Sequence, residues 1–154
     1  MKSKKIYIIR HGQTDYNLKG IVQGSGIDAP INETGQKQAD LFYNAYQHIA
    51  FDKVYTSKLQ RSKQSVNKFI EKGIPHKELE GLNEINWGTR EGKIITISED
   101  KYYQHVLQEW RNNNTSLRIE GGESPEDVFE KQKTAISEII NNVKGINRVA
   151  YDIS

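Results

Sequence analysis

The chain has 154 residues, 35% of them hydrophobic, enough for one domain with a real core. Its 22 Lys and Arg against 20 Asp and Glu leave a formal charge of +2, without the basic surplus of a nucleic-acid binder. There is no cysteine, which excludes disulfides, thiolate metal sites and thiol nucleophiles, and no apolar run approaches the ~20 residues that span a bilayer.

Met1-Lys2-Ser3-Lys4-Lys5 leads into only four apolar residues, too few for a signal peptide, so a soluble cytoplasmic protein is expected. The run Ile6-Tyr7-Ile8-Ile9 within Lys4–Arg10 predicts a buried strand, closed by Gly12. A loop follows through Gly20, Gly24, Gly26 and Pro30. From Asn32, an N-cap type, apolar residues recur at Ala39, Phe42, Ala45, Tyr46 and Ile49 along one helix face. Lys53–Thr56 reads as a second strand. Leu59, Val66, Phe69 and Ile70 then mark a helix stopped by Gly73 and Pro75. A third strand is predicted at about Lys77 to Leu82.

Ser98 is a candidate cap for a helix with the stripe Tyr102, Tyr103, Val106, Leu107 and Trp110, ending in Asn112-Asn113-Asn114. Ser124-Pro125-Glu126-Asp127 is the best helix start in the chain. It has Ser at the N-cap, Pro first inside, and two acids where the helix dipole favours them. Val128, Phe129, Ala135, Ile136, Ile139, Ile140 and Val143 form the predicted buried face of that helix, and Arg148–Ile153 begins another strand. Strands alternating with helices predict an α/β layered domain with a mostly parallel sheet. Such sheets bind ligands beyond the carboxyl ends of their strands.

Three segments fall at those ends. In Arg10-His11-Gly12-Gln13-Thr14, an imidazole could attack phosphorus with one nitrogen if the other is held as a donor. The adjacent guanidinium would grip phosphoryl oxygens, and Gly12 would let backbone approach a bulky anion. Thr56–Ser62 turns a strand directly into a helix, which aims backbone N–H groups into the same crevice and adds Arg61. Glu84 follows the third strand, where a carboxyl beside a phosphoryl group and an aromatic ring would have its proton favoured, which suits a general acid. Taken singly, these read equally as a strand end at the surface, an ordinary helix-start Arg and a solvated loop Glu. Two arginines from different strand ends around one His are far more specific.

With these segments in order, the chain resembles the histidine phosphatase superfamily, in the branch of phosphoglycerate mutase and related phosphatases. The resemblance rests on Arg10-His11-Gly12-Gln13-Thr14 with Asn17 and Gln23-Gly24, on Ile31–Ala39, on Ser57–Ser62, on Leu82–Gly92 and on Gly121-Gly122-Glu123-Ser124. It implies a three-layer α/β/α sandwich. It also implies His11 as the nucleophile, Arg10 and Arg61 as the phosphate clamp, and Glu84 as proton donor and then base. Asn17, Gln23, Gly24 and Gly12 would border the substrate, a small phosphate ester, with no metal or other cofactor.

Members of the family carry a second active-site His just after a strand of the Val149–Ser154 type. The resemblance therefore implies one domain over 1–154 with the C-terminal part of the family fold missing, since the chain stops where that His would follow. His48 and His105 fall in helical patterns and His76 follows Pro75, so none replaces it. A missing donor at the transition state costs about 3 kcal/mol. In the family's strand order the final strand here would sit beside the first, and the missing strands would cover its other side. Without them the first strand would keep a free edge, a route to a homo-oligomer. A phosphatase of small monoesters is the first expectation. The alternatives are a phosphoglycerate mutase, disfavoured because Arg111 and Arg118 form no adjacent pair, and a non-catalytic phosphate-binding domain.

Overall fold

The computed structural model describes residues 5–94 and 100–142, and the backbone of 148–152. Four strands, β1 (Lys5–Ile9), β2 (Lys53–Thr56), β3 (His76–Glu78) and β4 (Arg148–Asp152), form one sheet in the order β1-β4-β2-β3. Every pairing is parallel. The last strand inserts between the first two: Lys5 stands opposite Arg148 on one side of β4, and Lys53 opposite Val149 on the other. The helices are α1 (Asp15–Lys19), α2 (Glu33–Tyr46), α3 (Gln60–Glu71), α4 (Lys101–Arg111) and α5 (Pro125–Asn142).

Alternation along β2 sorts the core into two halves, because successive strand residues face opposite sides. Val54 packs with Phe51, Val66 and Phe69, joined by Tyr7, Ile9, Phe42 and Tyr43, which places α2 and α3 on that face. Phe69 is the hub, with Tyr43 and Phe51 edge-on to it at 5.0 and 5.5 Å between ring centres. Tyr55 turns the other way into Leu79, Leu82, Ala135 and Ile139, which places α5 on the opposite face. The result is the α/β/α sandwich that the sequence led us to expect.

Several details depart from expectation. The third strand ends at Glu78, and Glu80–Leu82 is a 3-10 turn. The turn brings residues three apart onto one side, so Leu79 and Leu82 both reach the α5 half of the core, which an extended strand would not allow. The cap of α4 is Asp100, whose carboxylate accepts from Tyr103 N–H; Ser98 lies outside the described residues. Helix α1 sits where a loop was expected, started by a capping box between Thr14 and Asn17. The buried face of α5 is narrower than predicted: Ala135 and Ile139 are buried, whereas Phe129 and Ile140 are 61% and 45% exposed. Val143 lies outside the described residues.

Candidate active site

His11 stands just past the carboxyl end of β1, 8% exposed. Its Nδ1 lies 2.7 Å from the Gly12 carbonyl oxygen. A carbonyl only accepts, so Nδ1 carries the hydrogen and Nε2 is the bare nitrogen of the neutral ring. Burial holds the imidazole pKa below its ordinary value; the bond to Gly12 opposes this, and the charges of Arg61 and Arg10 reinforce it.

Arg61, in the first turn of α3, is fully buried. Its Nη1 donates to the Ile27 carbonyl at 2.7 Å, and its Nη2 to the Gly24 carbonyl at 3.2 Å and to Glu84 Oε2 at 3.4 Å. Glu84 follows the 3-10 turn after β3, and its pKa is raised. Burial is the larger cause and outweighs the opposing pull of Arg61 and Arg10. Arg10 is itself exposed, but its charge acts on both His11 and Glu84. Arg10, His11, Arg61 and Glu84, drawn from three strand ends, thus form one electrostatic unit.

Beside the unit opens a cleft of about 490 Å3 lined by Arg10, His11, Tyr16, Asn17, Ile21 and Gln38. Asn17 spends its carboxamide oxygen on the Thr14 backbone N–H at 3.0 Å, which leaves its NH2 group for the cleft. Gln23 is buried, with Oε1 taking the Thr14 hydroxyl at 2.6 Å and Nε2 without a partner among the described residues. Gly24 serves Arg61 through its carbonyl. A Cβ there would lie 2.2 Å from Glu91 Oε1, so only glycine fits.

The missing Cβ of Gly12 admits the backbone of α2, since a Cβ would stand 2.6 Å from Gly35 O. One expectation needs correcting: the Gln60, Lys58 and Ser57 amides at the start of α3 are not open to a ligand. Gln60 N–H goes to the Asp28 carboxylate at 2.7 Å, Lys58 N–H to Asn83 Oδ1 at 2.9 Å, and Ser57 N–H to Ser62 Oγ at 3.2 Å. The cationic side chains, rather than that helix end, carry the positive field. Of the other histidines, His48 and His105 are exposed, and His76 Nε2 bonds Thr56 Oγ1 at 2.8 Å.

Three supporting groups escaped the sequence reading. Ser65 bonds Gly12. The Glu91 carboxylate accepts from Trp87 N–H at 3.0 Å and Gly26 N–H at 3.2 Å, tying the acid loop to the glycine loop. Lys131 of α5 bonds Glu123 at 2.6 Å and the Glu84 carbonyl at 3.2 Å, steadying the acid from below. Ser65 alone left a readable trace, because it lies four residues after Arg61 on the same helix face.

The family model described as histidine phosphatase superfamily (branch 1) matches residues 6–150, and the chain belongs to that family. A broad-specificity phosphatase of Saccharomyces cerevisiae is 37% identical over 114 residues, 70% of this chain and 49% of that protein. A phosphoglycerate mutase of Candida albicans is 33% identical over 117 residues, 71% of this chain and 46% of its own length. The chain therefore spans about half the length of these relatives. The solved structure of Bacillus stearothermophilus YhfR superposes with a TM-score of 0.79 at 24% identity, covering 99% of this chain and 74% of that one. At that identity the likeness concerns the fold. Among the described residues, no helix is long and apolar enough to cross a membrane.

Proposed function

We propose that the chain carries the machinery of a phosphatase that hydrolyses small phosphate monoesters through a phosphohistidine at His11. In the first step Nε2 forms a bond to phosphorus, the ester P–O bond breaks, and the Glu84 carboxyl gives its proton to the departing oxygen. Water then attacks the phosphohistidine, Glu84 takes back a proton, and the P–N bond breaks to release inorganic phosphate. Arg61 and Arg10 offset the charge on the transferring oxygens.

The observation that carries this reading is the hydrogen bond from His11 Nδ1 to Gly12 O, made in a pocket where a buried guanidinium meets a carboxyl with a raised pKa. Hydrolysis is favoured over mutase chemistry by the placement of the two candidate carboxylate-binding arginines. Arg118 is 61% exposed and paired with Asp127, and Arg111 ends α4 beside a separate groove. The test is incubation with p-nitrophenyl phosphate. We expect an acid-labile, alkali-stable phosphoryl group on His11, and loss of both label and turnover in His11→Ala. Phosphate binding without label or turnover would leave a binding module, and transfer to an acceptor alcohol in preference to water would leave a mutase.

A further inference from the structure

We infer that Ser65 is a positioning residue for His11, its single hydroxyl anchoring Gly12, the residue whose carbonyl decides which imidazole nitrogen is bare. Ser65 is 5% exposed. Its hydroxyl accepts the Gly12 N–H at 2.8 Å and donates to the Arg61 carbonyl at 2.7 Å. The carbonyl of the same Gly12 holds His11 Nδ1–H at 2.7 Å. The backbone of the buried arginine is thus joined to the imidazole ring through Ser65 and the one residue Gly12, whose N–H and carbonyl lie on adjacent peptides.

Packing alone does not hold Gly12 in place. The backbone of Gly35 presses on one side of it. On the other, a cavity of about 260 Å3 is lined by His11, Gly12, Ala39, Phe42 and Ser65. Without the hydroxyl, the Gly12 N–H would be buried and unsatisfied, and the His11–Gly12 peptide would be free to turn toward another acceptor. That turn displaces Gly12 Cα and with it the next peptide, which carries the Gly12 carbonyl and is tied through Gln13 N–H to the exposed Gln38 side chain at 2.9 Å. The carbonyl would then shift off Nδ1, and the neutral ring would be free to take its hydrogen on Nε2, the nitrogen that the reaction needs bare. Ser65 also ties His11 to the helix that carries Arg61, so nucleophile and clamp keep a fixed relation.

The inference rests on His11 as the group that takes phosphate, but its main test does not require turnover. Ring 15N resonances of His11, recorded where the imidazole is neutral and assigned by their absence in His11→Gln, distinguish the two tautomers. The wild-type ring is expected to be protonated at Nδ1, Ser65→Ala to give a mixture, and Ser65→Thr to restore the wild-type pattern. Ser62→Ala removes another buried hydroxyl from the same helix, which receives Ser57 N–H at 3.2 Å, and should leave the ring unchanged. In turnover of p-nitrophenyl phosphate, Ser65→Ala should lower kcat on the order of 10- to 100-fold, with a much smaller change in KM. If the alanine variant does not fold, the near-isosteric Ser65→Cys, whose thiol is a poor acceptor, takes its place with the same expectation.

An Nδ1-protonated ring that persists in Ser65→Ala overturns the inference, as does the same change in Ser62→Ala or an Nε2-protonated wild-type ring. If the tautomer follows Ser65 but His11 never takes a phosphoryl group, the positioning role stands and the catalytic reading falls.

Discussion

An imidazole that attacks phosphorus must be neutral, while the carboxyl that releases the leaving group must be protonated. At the ordinary values of 6.5 and 4.5 these demands conflict, because the His loses its proton only after the Glu has lost its own. Burial lowers the first and raises the second, so a larger share of molecules holds both groups in the required state. Activity should fall on the acid side as His11 gains a proton and on the alkaline side as Glu84 loses one. Glu84→Gln, which has no proton to give, should show kcat/KM rising with pH to a plateau, without the alkaline limb. Its kcat/KM for an alkyl phosphate should drop about 10²- to 10⁴-fold, and that for p-nitrophenyl phosphate, whose leaving group needs little help in the first step, by much less. A variant that kept the alkaline limb would remove Glu84 from the reaction. At this scale the grouping of Arg10, His11, Arg61 and Glu84 was legible because strand ends mark the crevice. The groups that hold them were not, because Glu91 and Lys131 act across long sequence separations that no local pattern records.

Among the elements, the contact between α2 and the His11 loop constrains the site closely. A Cβ on Gly35 would stand 2.3 Å from Gln13 O and 2.8 Å from Gln13 N, against backbone that cannot swing aside. Gly35→Ala should therefore cost about 1–3 kcal/mol in urea unfolding. It should also slow phosphorylation of His11, although residue 35 lies outside the cleft. Element boundaries were readable where a cap or an apolar stripe announced them. Lys53–Thr56 matches β2, and Asn32 caps α2 by accepting Gly35 N–H. Helix α1 went unread because none of its residues is buried, so it has no apolar stripe, only the Thr14–Asn17 cap. The third strand was drawn too long because alternation cannot anticipate that both Leu79 and Leu82 need the same side.

For the molecule as a whole, the α5 face of the sheet is incompletely covered. Ile6 and Ile8 of β1 are 37% and 56% exposed, and among the described residues β1 pairs with β4 alone. An apolar strand with an open edge is a template for another chain. The chain should therefore sediment as a concentration-dependent mixture of species, and Ile8→Lys should shift it toward the monomer without lowering its melting temperature. A monodisperse wild-type monomer at high concentration would show that the edge is harmless. The layered α/β class was legible from alternation of elements. The place of β4 beside β1 was legible through the family resemblance alone, and its pairing with β2 was not, because strand order depends on pairings between distant segments.

That position has a cost in time. Strand β1 receives its β4 partner only when residues 148–152 follow, since Lys5 meets Arg148 and Ile9 meets Asp152. Until then β1 lacks that neighbour, and β2 and β3 wait beside a gap in the sheet. Contacts this distant make folding slow and leave the growing chain prone to wrong associations. The nascent protein is thus expected to lean on chaperones until residues 148–152 have emerged, and to bring Arg10, His11, Arg61 and Glu84 together only after that step.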